Sequence, residues 1–128
     1  MITDAIRQAE MLHRQVMEAA YDGVCTVYEQ QDFEDPETHD TVFREVQVQG
    51  EIPCHLSYSS VPALTAGVTG AAVSQVVKLF LAPELEIRPG SRLEVTQQGK
   101  TECYSRSGQP AVYASHQEIE LSLFKEYA

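Results

Sequence analysis

Residues 92–105 read RLEVTQQGKTECYS, and the fold is decided by what this stretch does. Two short strand-forming runs, 92–96 and 101–105, flank Gln97-Gln98-Gly99-Lys100. That centre suits a tight antiparallel turn, because Gly99 takes positive φ at no steric cost. Downstream, Gly108 and Pro110 turn the chain into a long final strand, where Ile119, Leu121 and Leu123 face one way and Glu118, Glu120 and Ser122 the other. Upstream, Pro89-Gly90 makes a second turn, with proline fixing φ at the second position and glycine relaxing it at the third. Before it, residues 73–81 form the most hydrophobic run, bounded by Pro83, as a buried strand is.

Further upstream the strand pattern continues. Residues 52–58 follow Gly50 and contain Pro53, which predicts an edge or a bulge near the start. Residues 42–48 alternate, Val46 and Val48 against Glu45 and Gln47, and residues 24–29 are rich in β-branched and aromatic side chains. Only the N-terminus has helical periodicity. Thr3 and Asp4 open a helix over residues 3–20 by capping and by complementing its dipole, and Gly23 stops it. Its stripe of Ile6, Ala9, His13, Val16, Met17 and Ala20 is expected to pack on the strands; docking onto a neighbour through Met11, Leu12 and Val16 is the alternative. The fold expected is therefore mainly β: one domain, 1–128, comprising the helix and a small antiparallel β-barrel of about seven strands over 24–124, with one long flexible loop.

Composition narrows the functional classes. The chain has 128 residues, 43% hydrophobic and 22% charged, ordinary values for a globular domain. No apolar run reaches the ~20 residues that cross a bilayer, and Asp4, Glu10 and His13 interrupt any secretory-type leader. A soluble, cytoplasmic product with no membrane partner is expected. Nineteen acidic residues against nine basic ones give a net charge of −10, which weighs against tight nucleic-acid binding. A repulsive acidic wall would instead let DNA pass without gripping it. Cys25, Cys54 and Cys103 are odd in number and widely spaced, as buried reduced thiols are rather than a disulfide framework or a zinc knuckle.

Two connections are longer than turns. Residues 30–41 carry Asp32, Glu34, Asp35, Glu37 and Asp40 around Pro36 and read as a solvated hairpin loop, without the spacing of a calcium loop. Residues 59–72, SSVPALTAGVTGAA, are uncharged and rich in small residues. No phosphate-loop lysine is present, and a projecting flexible loop ordered on assembly is expected; Ser59, Pro62, Thr65, Gly67, Thr69 and Gly70 are its candidate functional positions.

Catalytic signals are weak. Cys54 and His55 on one strand would face opposite sides, Cys54 or Cys103 with His116 is a guess about tertiary contact, and Ser57, Ser59 and Ser60 lie in no nucleophile elbow. No enzyme, no metal and no cofactor is expected.

Three ordered motifs do carry a resemblance: Ile87, Pro89, Gly90, Ser91, Leu93 and Val95; then Gly99, Lys100, Thr101 and Tyr104; then His116 to Glu118 entering the last strand, with IPCHLSY at 52–58 in register before them. In this order, over most of residues 24–124, the chain resembles the head-closure (stopper-type head–tail connector) or minor capsid proteins of siphophages and prophages. The N-terminal helix departs from that pattern. The resemblance implies a non-enzymatic virion protein at the head–tail interface. It would be a ring stacked below the portal and adaptor, closing the DNA-filled head and presenting a platform to tail proteins. It also implies that the 59–72 loop projects into the channel and retains double-stranded DNA, and that Pro89, Gly90 and Ser91 form the family's turn. Those three residues bear nothing reactive and equally suit a purely structural turn. Two other readings stay open. One is a tail-completion or terminator subunit; the other is a small barrel binding oligonucleotides or peptides, with Tyr104 and Tyr113 as stacking platforms and Arg88, Arg92, Lys100 and Arg106 as a thin basic run.

Overall fold

A computed structural model describes residues 2–62 and 73–127. Helix α1 (Ile2–Ala19) is followed by β1 (Gly23–Glu34), β2 (Thr41–Pro62), β3 (Val73–Leu81), β4 (Arg92–Gln97), β5 (Lys100–Arg106), β6 (Ala111–Val112) and β7 (Gln117–Leu123). The helix ends as its last amides fall back on i−3 carbonyls, Ala20 N donating to Met17 O at 3.1 Å and Tyr21 N to Glu18 O at 3.2 Å.

The seven strands form one antiparallel sheet in the order β3-β2-β1-β4-β5-β7-β6, and an additional β3–β7 pairing joins its ends into a hydrogen-bonded ring. β6 stays outside the ring, held on β7 by Ala111↔Glu118 and Val112↔Gln117. Strand alternation sends one face of each element inward. Cys25 and Val27 of β1, Ile52, Cys54 and Leu56 of β2, Leu79 and Leu81 of β3, Leu93 and Val95 of β4, and Ile119 and Leu121 of β7 meet there with Ile87 and Tyr104.

The 92–105 hairpin forms as read: β4 and β5 pair from Leu93↔Tyr104 to Gln97↔Lys100, with Gln98 and Gly99 both at positive φ, 51° and 77°. Such a two-residue turn matches the twist of the strands it joins. Beside it, the Gln97 side chain bridges strands that are not neighbours: its Oε1 accepts from Leu56 N at 2.7 Å and its Nε2 donates to Leu56 O at 3.2 Å. The long connection from β3 to β4 is fixed by buried polar groups. Gln117 Nε2 donates to Ala82 O and Leu85 O (2.7 and 2.6 Å), and Arg106 Nη1 donates to Ile87 O at 2.7 Å.

Several boundaries differ from the sequence reading. The runs 42–48 and 52–58 belong to one strand, β2, which stays continuous by bulging: the register with β1 slips between Cys25 and Val27 and again between Val27 and Tyr28, and Glu51 sits at φ 53°. A bulge bends a strand without ending it, so Gly50 and Pro53 mark a corner. The acidic segment is not a loop from residue 30. Strand pairing persists to Glu34↔Thr41, and only residues 35–40 turn, with Asp35 Oδ1 accepting from Glu37 N at 2.8 Å. The final strand is shorter than expected, because β6 and a turn precede it, and Leu123 leaves the core at 61% exposure.

Candidate assembly surfaces

Helix α1 has no buried residue, which overturns the expectation that its stripe packs on the strands. Only Arg14 and Met17 are half-buried against the body. Arg14 pairs with Glu84 of the β3–β4 connection and with Glu18 at 2.6 Å, and the His13 ring lies 6.4 Å from that of His116. At 3.6 residues per turn, Ala5, Ala9, Leu12, Val16 and Ala19 lie on the side away from Arg14 and Met17. Leu12 and Val16 are 62% and 69% exposed, and Ile2, next to Val16 around the helix, is 81% exposed; Ile6, on the Met17 side, is 53% exposed. The helix thus meets the body through Arg14 and Met17 and turns Leu12 and Val16 to solvent. Reading Ile6, Ala9, His13, Val16, Met17 and Ala20 as one inward stripe merged the Met17 side with the outward Val16 side; the 4-3-4-3 spacing of Ala5, Ala9, Leu12, Val16 and Ala19 was the available signal.

The predicted channel loop is partly strand. Ser59 pairs with Val76 and Pro62 with Val73, so both extend the β2–β3 hairpin. Backbone pairing outweighs the small-residue composition here because β3 supplies a partner along its full length. β7 accompanies β3 only as far as Val77↔Leu121, so the hairpin continues beyond the ring by four residue pairs, 59–62 with 73–76. At about 3.4 Å per residue that is roughly 14 Å of projection. Thr65, Gly67, Thr69 and Gly70 lie outside the described residues.

Pro89, Gly90 and Ser91 do make the turn that the sequence indicates, Ser91 N donating to Arg88 O at 3.3 Å across Gly90 at φ 85°. Together with Glu29, Gln30, Arg88 and Tyr127 they line an open groove of about 420 Å³. The groove lies at the root of a second projection. β1 and β2 run on as a two-stranded arm beyond Tyr28↔Arg92, the last β1–β4 pair, to the turn at 35–40, and no residue of the arm from 29 to 47 is buried. Arg92 clamps the arm to the ring. It forks onto Glu45 (2.9 and 2.6 Å), lies 4.2 Å over the Tyr28 ring, and donates to Cys103 Sγ at 3.1 Å. Tyr127 OH donates to Glu45 Oε2 at 2.7 Å, so the C-terminal segment joins the clamp. Arg92, then Tyr127, holds the Glu45 carboxyl below the usual carboxylate range.

The remaining polar candidates do not converge. Cys54 is buried while His55 reaches Asp22 Oδ1 at 2.8 Å on the other face, as alternation requires. Cys103 contacts Arg92 rather than His116. His116 lies before β7 and is 8% exposed, sandwiched by Tyr113 (4.9 Å) and Phe80 (5.5 Å), with Nδ1 at 2.8 Å from Ser115 Oγ and Nε2 at 3.0 Å from Glu118 Oε2. Ser115 is itself 3% exposed, so this Ser–His–Glu set serves to hold the 113–116 turn, closed by Tyr113 N to His116 O. Burial pushes the Cys25 and Cys54 thiols up to about 12. Among the described residues no group of three or more His, Cys, Asp and Glu is placed to hold a metal, and no helix is long and apolar enough to cross a membrane.

The pair of tyrosines does not form one stacking platform. Tyr104 is a core residue at 6% exposure, while Tyr113 is exposed and stacks one ring face on His116. The basic run is dispersed as well: Arg92 serves Glu45, Arg106 donates to Gly108 O and Ile87 O, and Arg88 faces Glu29 at 3.6 Å.

No protein-family model matches the chain, and no curated protein matches it. Among solved structures it is similar to the phage-like element PBSX protein xkdH from Bacillus subtilis, at 9% identity and a TM-score of 0.47, over 78% of this chain and 91% of that one.

Proposed function

We propose that this chain is a structural subunit of a phage-type head–tail junction. Its six-stranded ring is a small barrel, copies of which assemble side by side beneath the portal and adaptor, close the DNA-filled head and form the platform for the tail. The observation that carries this reading is the helix α1, whose apolar side faces solvent from end to end. A contiguous apolar face left exposed on a helix with no buried residue marks a surface meant for another protein. Neighbouring subunits of the junction are its occupants in this reading.

Two further features support it. The β2–β3 hairpin stands about four residue pairs clear of the ring and leads into the uncharged 63–72 segment, a disposition suited to reaching a central channel. The net charge of −10 lets double-stranded DNA slide past without being held by counterion release. The order and spacing of the motifs around Pro89-Gly90, Gly99-Lys100 and His116 provide the link to head-closure proteins.

The experiment is electron microscopy of particles assembled without this protein. Filled heads that leak DNA and lack tails are expected; intact, tailed particles would end the proposal. Deleting residues 62–70 separates the two roles. Subunits should still incorporate, while the heads fail to retain DNA.

A further inference from the structure

We infer that residues 29–34 of β1 form an acceptor edge for an extended segment of a different protein, one with Lys or Arg at alternate positions, which joins the sheet as an added strand. This goes beyond the ring assembly and does not depend on it.

The edge is open. β1 pairs with β2 along its whole length, but with β4 only from Gly23↔Gln97 to Tyr28↔Arg92. Beyond Tyr28, the side that β4 occupied has no strand on it among the described residues. In an antiparallel strand every second residue turns its N–H and C=O to that side, so residues 29–34 present a row of unpaired backbone groups. The row is regular, since register with β2 is unbroken from Glu29↔Val46 to Glu34↔Thr41. The opposite edge of the arm, β2 residues 41–46, is equally regular but carries Arg44, which repels a basic segment. At the root of the β1 edge the chain itself steps aside. The turn at Pro89, Gly90 and Ser91 leaves the groove of about 420 Å³ beside Glu29 and Gln30, where Arg88 is held toward Glu29 at 3.6 Å; the Ser91 hydroxyl beneath is buried and has no hydrogen-bond partner.

Side chains select the occupant. Asp32 and Glu34 project from one face of the strand and are exposed, and Glu37 and Asp40 follow at the tip. Phe33 projects from the other face, 38% exposed, under Arg44 at 5.4 Å. An incoming strand therefore meets carboxylates on one side and an aromatic ring on the other, which calls for basic residues alternating with apolar ones. The same carboxylates repel a second copy of this edge and any nucleic acid. Nor does this chain contain such a segment: its nine basic residues, Arg7, Arg14, Arg44, Lys78, Arg88, Arg92, Lys100, Arg106 and Lys125, never alternate.

The test uses the full chain and a fluorescent, end-blocked peptide Lys-Val-Lys-Val-Lys-Val, followed by anisotropy and by amide hydrogen exchange. Binding should slow exchange within residues 29–34. It should weaken by about tenfold or more when alternate peptide amides are N-methylated, which removes strand pairing but keeps the charge. The variant D32K/E34K, altered only at exposed positions and checked by circular dichroism, should lose the peptide to a similar degree and a Glu-Val peptide should not bind the parent. No binding of the Lys-Val peptide, equal binding of its N-methylated form, or protection confined to another edge would each overturn the assignment.

Discussion

Replacing Leu12 and Val16 together by glutamate separates the outward-facing helix from a packed one. In the isolated chain the two side chains are 62% and 69% exposed and lie away from the half-buried Arg14 and Met17, so L12E/V16E is a surface change. Surface changes cost within about 0.5 kcal/mol, and the helix propensities of the residues exchanged are close, so the melting temperature should move by no more than about 2 °C. Assembly is another matter. Fully burying a leucine or valine is worth about 1.5–3 kcal/mol, and roughly two thirds of each remains accessible here, leaving about 1–2 kcal/mol per residue to be gained on docking. Losing both weakens the contact by about 2–4 kcal/mol, roughly 30- to 700-fold, before the cost of desolvating two carboxylates. Thermal unfolding by circular dichroism reads the first quantity, and the amount of subunit in purified particles reads the second. L12M/V16I, which keeps the face apolar, should incorporate normally. Full incorporation of L12E/V16E would refute the assembly role of the face. A fall of roughly 8 °C or more would show that the helix packs through it.

Three other outcomes are expected. In a double-mutant cycle of Arg92→Met with Glu45→Gln, read by urea unfolding, a coupling of about 1–2 kcal/mol should appear, since the forked contact is charge-assisted but partly solvated; less than about 0.3 kcal/mol would leave the arm unclamped. Native protein at pH 8 should expose one thiol, Cys103, to an aromatic disulfide reagent and all three after denaturation, because Cys25 and Cys54 are fully buried with thiols raised to about 12. Stability should fall in acid: Glu45 and Glu84, held down by Arg92 and Arg14, bind fewer protons folded than unfolded, so their contribution is present above about pH 4.3 and is lost as pH drops through their folded values. Glu45→Gln should flatten part of that acid limb in a series of melts from pH 6 to pH 2.5.

The parts of the fold legible in the sequence are those with a local cause. Gly99 and Gly90 bring positive φ to their turns, and alternation places Leu93, Val95, Ile119 and Leu121 inside. The errors arose where a distant partner overrides local composition. Ser59 and Pro62 look like loop residues until β3 supplies backbone partners. Asp32 and Glu34 look too acidic for a strand until β2 pairs with them on a face that no core covers. Tyr104 looks like a surface platform until ring closure buries it. The candidate site suffered most, because which side of α1 meets the body follows from Glu84 and His116, roughly 70 and 100 residues away in the chain.

From its residues alone, then, this protein is a predominantly β chain with one leading helix, a strong negative charge and defined turns, because those properties follow from φ preferences, periodicity and composition within a few residues. Tertiary structure decided that β3 meets β7 and closes the ring, that two hairpins outrun the ring, and that the helix meets the body through Arg14 and Met17 with Leu12 and Val16 outward. Each of these depends on contacts between segments far apart in the chain, whose energies no local pattern encodes.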